Sequence, residues 1–140
     1  MKVQEVMTEG PASVRSTTSV REAFEVLKSL NVRHVPIVDA RGELVGILSD
    51  RDQRSFWSHD RPNGGSDEAA RLELPVCTVM STVPFAVRPD ADVQEVAKRM
   101  IDQRIGAVPV LSADGALIGI VSYVDLLREW LPFAPDAWQD

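Results

Sequence analysis

The chain contains itself twice. Residues 6 to 57 align with residues 79 to 130 without a gap, and Pro36 and Pro109 fix the offset at 73 residues. The same shift superposes Val6-Met7 on Val79-Met80, Pro11 on Pro84, Val14-Arg15 on Val87-Arg88 and Val35 on Val108. It continues through Gly42 and Gly115, Gly46-Ile47 and Gly119-Ile120, Ser49 and Ser122, Asp52 and Asp125, and Trp57 and Trp130. Chance does not hold register for that long. A period of this size in only two copies is not that of a solenoid, whose units run roughly 20–50 residues. The pattern predicts two like units packed about a pseudo-twofold axis, with function between the copies.

Each copy has the same internal plan. Val20, Ala23, Phe24, Leu27 and Leu30 fall at helical spacing behind Ser19, which forms an S-x-x-E capping box with Glu22. In the second copy Val93, Val96, Ala97, Met100 and Ile101 form the stripe, with Asp92 as N-cap and Glu95 at the box position. Two short apolar runs follow each helix, 34–38 with 44–48 and 107–111 with 117–121, each pair joined by a polar turn and read as a β-hairpin. Pro36 and Pro109 cannot donate to a ladder, so their strands are expected to be edge-like or to turn their N–H side to something other than backbone. A second helix closes each unit near 50–58 and 123–131, and a short extended piece near 13–15 or 86–88 leads in. The predicted class is α+β, two β-α-β-β-α units forming one compact module. The expected boundaries are 1–60 for the first unit, 61–74 for a tether with a short helix over 67–73, 75–131 for the second unit, and 132–140 for a tail.

At 140 residues the chain can bury about 68–70% of its unfolded surface without staples. No apolar stretch approaches the ~20 residues of a membrane helix, and the start, Met1 to Glu5, does not read as a signal peptide; the expected compartment is the cytoplasm. Cys77 is the only cysteine and His34 and His59 the only histidines, which argues against an internal disulfide and against a zinc site. A net charge of −6 argues against a nucleic-acid surface, though a local pocket of cations could still take a small anion. Neither histidine has a recognisable serine or cysteine partner, and no P-loop or G-x-G-x-x-G follows a strand, so no enzyme activity is expected.

A repeated β-α-β-β-α unit, carrying Val-Met then Thr or Ser at its start, a Val-Pro strand, and Gly-Ile, an aliphatic residue and Ser-x-x-Asp at its end, resembles a tandem pair of cystathionine-β-synthase (CBS) domains, the Bateman module. The resemblance covers nearly the whole chain. It implies a disk-like module with two clefts that hold adenosine-containing ligands such as AMP, ADP, ATP, NAD or S-adenosylmethionine. It also implies a homodimer and an effector protein that responds to the ligand. By the same resemblance Asp52 and Asp125 bind ribose hydroxyls, and Ser49 and Ser122 lie on the phosphate side.

The chemistry of the motif points the same way. A carboxylate in the first turn of a helix can accept from two vicinal hydroxyls, while the helix N-terminus offers N–H groups and positive potential to a phosphate. Gly46 and Gly119 are expected to leave room for a planar base. Main-chain groups of the Val35-Pro36 and Val108-Pro109 strands would read adenine, with the valines or their neighbours supplying apolar contact. Arg33, His34 and Arg51 correspond to Gly106, Ala107 and Val124, so the two clefts are expected to differ, the first being better suited to a polyphosphate. Tyr123, opposite Asp50 in the alignment, is placed to stack on a base or, as the plainer reading, is a half-exposed helix residue, and Cys77 is read as a small core or linker residue. Ser-x-x-Asp is also an ordinary helix start, with serine as cap. The alternative function is therefore a structural or dimerisation module with empty or degenerate clefts, whose apolar end, Trp130 to Phe133 with Trp138, is buried in a dimer or against its own chain.

Overall fold

The computed structural model of the protein describes residues 1–58 and 66–131. In chain order they form β1 (Thr8–Glu9), β2 (Val14–Arg15), α1 (Val20–Ser29), β3 (His34–Val38), β4 (Leu44–Ser49), α2 (Asp50–Ser58), α3 (Ser66–Leu72), α4 (Val93–Gln103), β5 (Ala107–Leu111), β6 (Leu117–Ser122) and α5 (Tyr123–Trp130). Single 3-10 turns stand at Val3–Glu5 and Val76–Thr78. The α+β class and the hairpin positions are as expected. Both hairpins turn on a glycine of positive φ, Gly42 at 81° and Gly115 at 88°, a backbone that side chains resist.

The compact units cut across the expected boundaries. One is Ala12–Val83; the other joins Met1–Pro11 to the chain from Pro84 onward. The reason is backbone hydrogen bonding. Val3 and Gln4 donate to the carbonyls of Ala91 and Pro89, and Val93 donates to that of Met1. Val76 and Cys77 donate in the same way to Thr18 and Ser16, and Val20 to Leu74. These bonds obey the 73-residue shift, so the repeat extends ahead of the run that starts at Val6 and Val79, through the matched Val3 and Val76 to Met1 and Leu74. Each leading segment docks in the unit built from the other copy's hairpin. The same bonds place exposed Cys77 in a docked 3-10 turn, not in a core.

The sheets are β2-β3-β4 and β1-β6-β5. In the first, β3 is central, antiparallel to β4 and parallel to β2, so an edge position is corrected for the Pro36 strand, whereas β5 with Pro109 stands at the edge of the second sheet. In the second, Val87 makes the parallel bridge to Val110 that β2 makes in the first. Val87 N–H donates to the Pro109 carbonyl and Leu111 N–H to that of Val87, at 3.0 and 2.9 Å. The nitrogen of Pro109 faces the same side and has no hydrogen to extend the ladder backwards. A proline is thus tolerated inside the sheet because its neighbour is short.

Alternation along the strands sends Val35, Ile37 and Leu48 into one core with Val20, Ala23, Phe24, Leu27, Phe56 and Val76. In the other unit Val108, Val110 and Val121 meet Val3, Phe85, Val93, Val96, Met100 and Leu126. Leu30 and Ile101, expected in the apolar stripes, are exposed. Leu30 is already the C-cap of α1, and Ile101 sits one residue, about 100°, off the buried Met100 face. The segment read as a tether is partly built in: Leu72 packs on the first core, Arg21 pairs with Glu73 at 2.8 Å, and the Arg71 guanidinium lies 4.0 Å from the Phe56 ring centre.

Candidate functional site

Each hairpin delivers its last strand residue directly into a helix, and at both junctions a serine and an aspartate close a reciprocal cap. Asp52 Oδ2 accepts the Ser49 backbone N–H at 2.8 Å and the Ser49 hydroxyl at 3.1 Å, while Ser49 Oγ accepts the Asp52 N–H at 3.2 Å. Asp125 Oδ2 accepts from Ser122 at 2.9 and 3.1 Å, and Ser122 Oγ accepts the Asp125 N–H at 3.3 Å. All four side chains are half-buried. The full capping box therefore stands where ligand-binding residues were expected. At α1 and α4, where boxes were predicted, the caps are the bonds from Glu22 N–H to Ser19 and from Glu95 N–H to Asp92.

The two aspartates differ in their second oxygen. Asp52 Oδ1 accepts the Ser81 hydroxyl at 2.7 Å. Ser81 is held there by two backbone bonds of 2.9 Å with Ile47, one in each direction. Thr8 occupies the matching position opposite Ile120, and among the described residues no hydrogen bond reaches Asp125 Oδ1.

His34 and Ser49 are cross-strand partners, and Asp50 N–H donates to the Arg33 carbonyl at 2.9 Å. Arg33, His34, Ser49 and Asp52 are thus brought to the start of α2, with Arg51 exposed in its first turn. Burial lowers the His34 pKa from 6.5; the Asp50 and Asp52 carboxylates oppose this and Arg33 adds to it. Asp50 is further engaged with Arg54 at 3.2 Å, an exposed pair that contributes little. The second junction has Gly106, Ala107, Tyr123 and Val124 at these places, with Tyr123 N–H donating to the Gly106 carbonyl.

Two expectations, for the glycines and for the valine side chains, are corrected. A Cβ on Gly46 would stand 2.5 Å from Met80 Sδ and 2.9 Å from the Ser81 carbonyl, and one on Gly119 would stand 2.5 Å from Met7 Sδ. These glycines make room for the repeated Val-Met segment, not for a base. Val35 and Val108 lie in the cores, at 1% and 0% exposure, so their side chains offer no ligand contact. Pro36 and Pro109 are fully buried as well. The residues missed in the sequence are Ser81 and Thr8; their signal was the repeated Val-Met-(Ser/Thr) element, read only as the start of a copy. Pro132, Phe133, Trp138 and His59 lie outside the described residues. On α5 itself Tyr123, Leu127 and Trp130 are exposed. No helix among the described residues is long and apolar enough to cross a membrane.

The family model for the CBS domain matches residues 3–52 and 76–131. A CBS domain-containing protein of Dictyostelium discoideum is 32% identical over 127 residues, covering 89% of this chain and 88% of that protein. Other relatives are longer: the chain spans 22% of an L-aspartate semialdehyde sulfurtransferase of Methanocaldococcus jannaschii, at 27% identity over 90% of its own length. Among solved structures, CBSX2 in complex with AMP superposes with a TM-score of 0.76 at 28% identity, covering 94% of this chain and 96% of that one. The CBS domain pair of protein MJ0100, in complex with 5′-methylthioadenosine and S-adenosyl-L-methionine, gives 0.77 at 26%, covering 94% and 97%.

Proposed function

The chain belongs to the CBS domain family, and from that premise we propose that it is a non-catalytic regulatory protein that senses adenosine-containing nucleotides at the starts of α2 and α5. One observation carries the reading: in both copies a carboxylate in the first helical turn sits beside a serine cap at a strand-to-helix junction. Such a junction offers a sugar an anionic acceptor and a phosphate the positive end of a helix. The AMP held by CBSX2 and the adenosyl compounds held by the MJ0100 pair support the class of ligand. AMP, ADP, ATP, NAD and S-adenosylmethionine are the candidates. Asp52 and Asp125 take ribose hydroxyls in this reading, and Ser49 and Ser122 lie toward the phosphate. Arg33, His34 and Arg51 favour a longer phosphate chain at the first junction. A homodimer that uses the exposed face of α5, an effector protein, and a cytoplasmic location, which suits the free Cys77 thiol, complete it.

Thermal denaturation with millimolar amounts of each candidate tests this. A ligand at 100 times its Kd adds about 2.7 kcal/mol of stability. The shift is expected to be reduced in Asp52→Asn and in Asp125→Asn. A second reading, a structural module, is favoured by the completeness of the capping boxes, which satisfy much of each aspartate without a ligand. Unchanged stability with every candidate would select it.

A further inference from the structure

A carboxylate has about four acceptor positions, two on each oxygen. At both helix starts Oδ2 is filled by the N–H and hydroxyl of the capping serine. What remains for a sugar is Oδ1. On Asp125 both of its positions are open among the described residues, so a vicinal diol can donate twice. On Asp52 the Ser81 hydroxyl already takes one position at 2.7 Å. That hydroxyl is positioned by backbone: Ser81 is bonded to Ile47 in both directions, and its carbonyl and the Met80 side chain crowd against Gly46.

From this geometry we infer that Ser81 is a specificity-determining residue, which lets Asp52 hold a single ribose hydroxyl while Asp125 holds the 2′- and 3′-hydroxyls together. The two units then bind adenosine unequally, and only the Asp125 unit distinguishes ribose from 2′-deoxyribose strongly. At Asp52 the loss of one hydroxyl leaves the other to fill the single open position. The inference rests on the ligand reading given above, and Ser81 acts in it by competition, without contact to the base or phosphate.

The test uses adenosine and 2′-deoxyadenosine, which carry no phosphate and so exclude the contribution of Arg33 and Arg51. Titration calorimetry on Asp52→Asn reports the Asp125 unit, where deletion of the 2′-hydroxyl is expected to weaken binding about 10- to 100-fold, the worth of one charge-assisted hydrogen bond. On Asp125→Asn, which reports the Asp52 unit, the same deletion is expected to change binding hardly at all. Ser81→Ala added to Asp125→Asn is expected to restore the strong discrimination. If loss of a cap prevents either Asn variant from folding, the full chain and Ser81→Ala alone suffice: the first is expected to give two classes of site for adenosine, and the second to draw the weaker class toward the tighter. Equal discrimination at both aspartates, or a Ser81→Ala protein that binds as the parent does, overturns the inference alone. Absence of binding by adenosine and by every adenosine nucleotide overturns the ligand reading and this inference with it.

Discussion

At the scale of single residues, the two glycines of the Gly-Ile element have become packing sites with unequal tolerance. Alanine at Gly46 meets a backbone carbonyl at 2.9 Å as well as a methionine sulfur, whereas at Gly119 the nearest atoms belong to the flexible Met7 side chain and the Thr8 carbonyl is 3.2 Å away. Overpacking of a well-filled site costs about 1–3 kcal/mol. Gly46→Ala is expected at the upper end of that range and Gly119→Ala at the lower, as read from urea midpoints. His34 makes a pH prediction. Its folded pKa lies below 6.5 because burial disfavours the imidazolium. Between that depressed value and 6.5 the unfolded chain binds a proton that the folded chain does not, so stability falls as pH is lowered through the window. Denaturation of His34→Gln at a series of pH values is expected to show a flatter dependence there than the parent.

At the scale of elements, a helix start is stabilised by whichever group satisfies its free N–H donors. Ser122→Ala removes the oxygen that accepts the Asp125 N–H and is expected to cost about 1 kcal/mol in the absence of ligand, with Ser122→Asn recovering most of it. The comparison, made by chemical denaturation, isolates the cap from any ligand role of the same residue. Docking of α3 shows how an element between two copies gains order. Its apolar Leu72 joins the first core, and Arg71 lies over Phe56, which itself stacks edge-on against Phe24 at 5.3 Å. The equivalents of Phe24 and Phe56 in the second copy are Ala97 and Glu129, so this aromatic cluster has no counterpart there.

At the scale of the whole molecule, the chain order and the unit order disagree, and that disagreement is testable. Val3 is fully buried in the core formed by residues from Phe85 onward. Val3→Ala is expected to cost about 2 kcal/mol, from lost burial together with the cavity. Hydrogen exchange is the measurement that locates the loss: protection is expected to fall first in α4, β5 and β6, the far end of the sequence, and not in neighbouring α1 and β3. Weakening confined to residues 12–58 would contradict the assignment of the leading segment.

The residues alone determined the doubling, the element types and the helical share of the two cores, because the repeat holds 73 along the chain, the stripes hold 3.6 along helices, and short β-branched runs mark strands. They also marked Ser49, Asp52, Ser122 and Asp125 as special, since the spacing of a cap is local. Only the tertiary structure decided which hairpin each Val-Met segment joins, because that choice is made by backbone hydrogen bonds between residues far apart in the chain, such as Ile47 with Ser81 and Gly10 with Ile118, which no local pattern encodes. It likewise decided that Pro36 sits on a central strand, where a short neighbour leaves its missing N–H unneeded. The difference between Ser81 and Thr8 arose in the same way: two hydroxyl residues in matched registers, one bonded to an aspartate and the other, among the described residues, not.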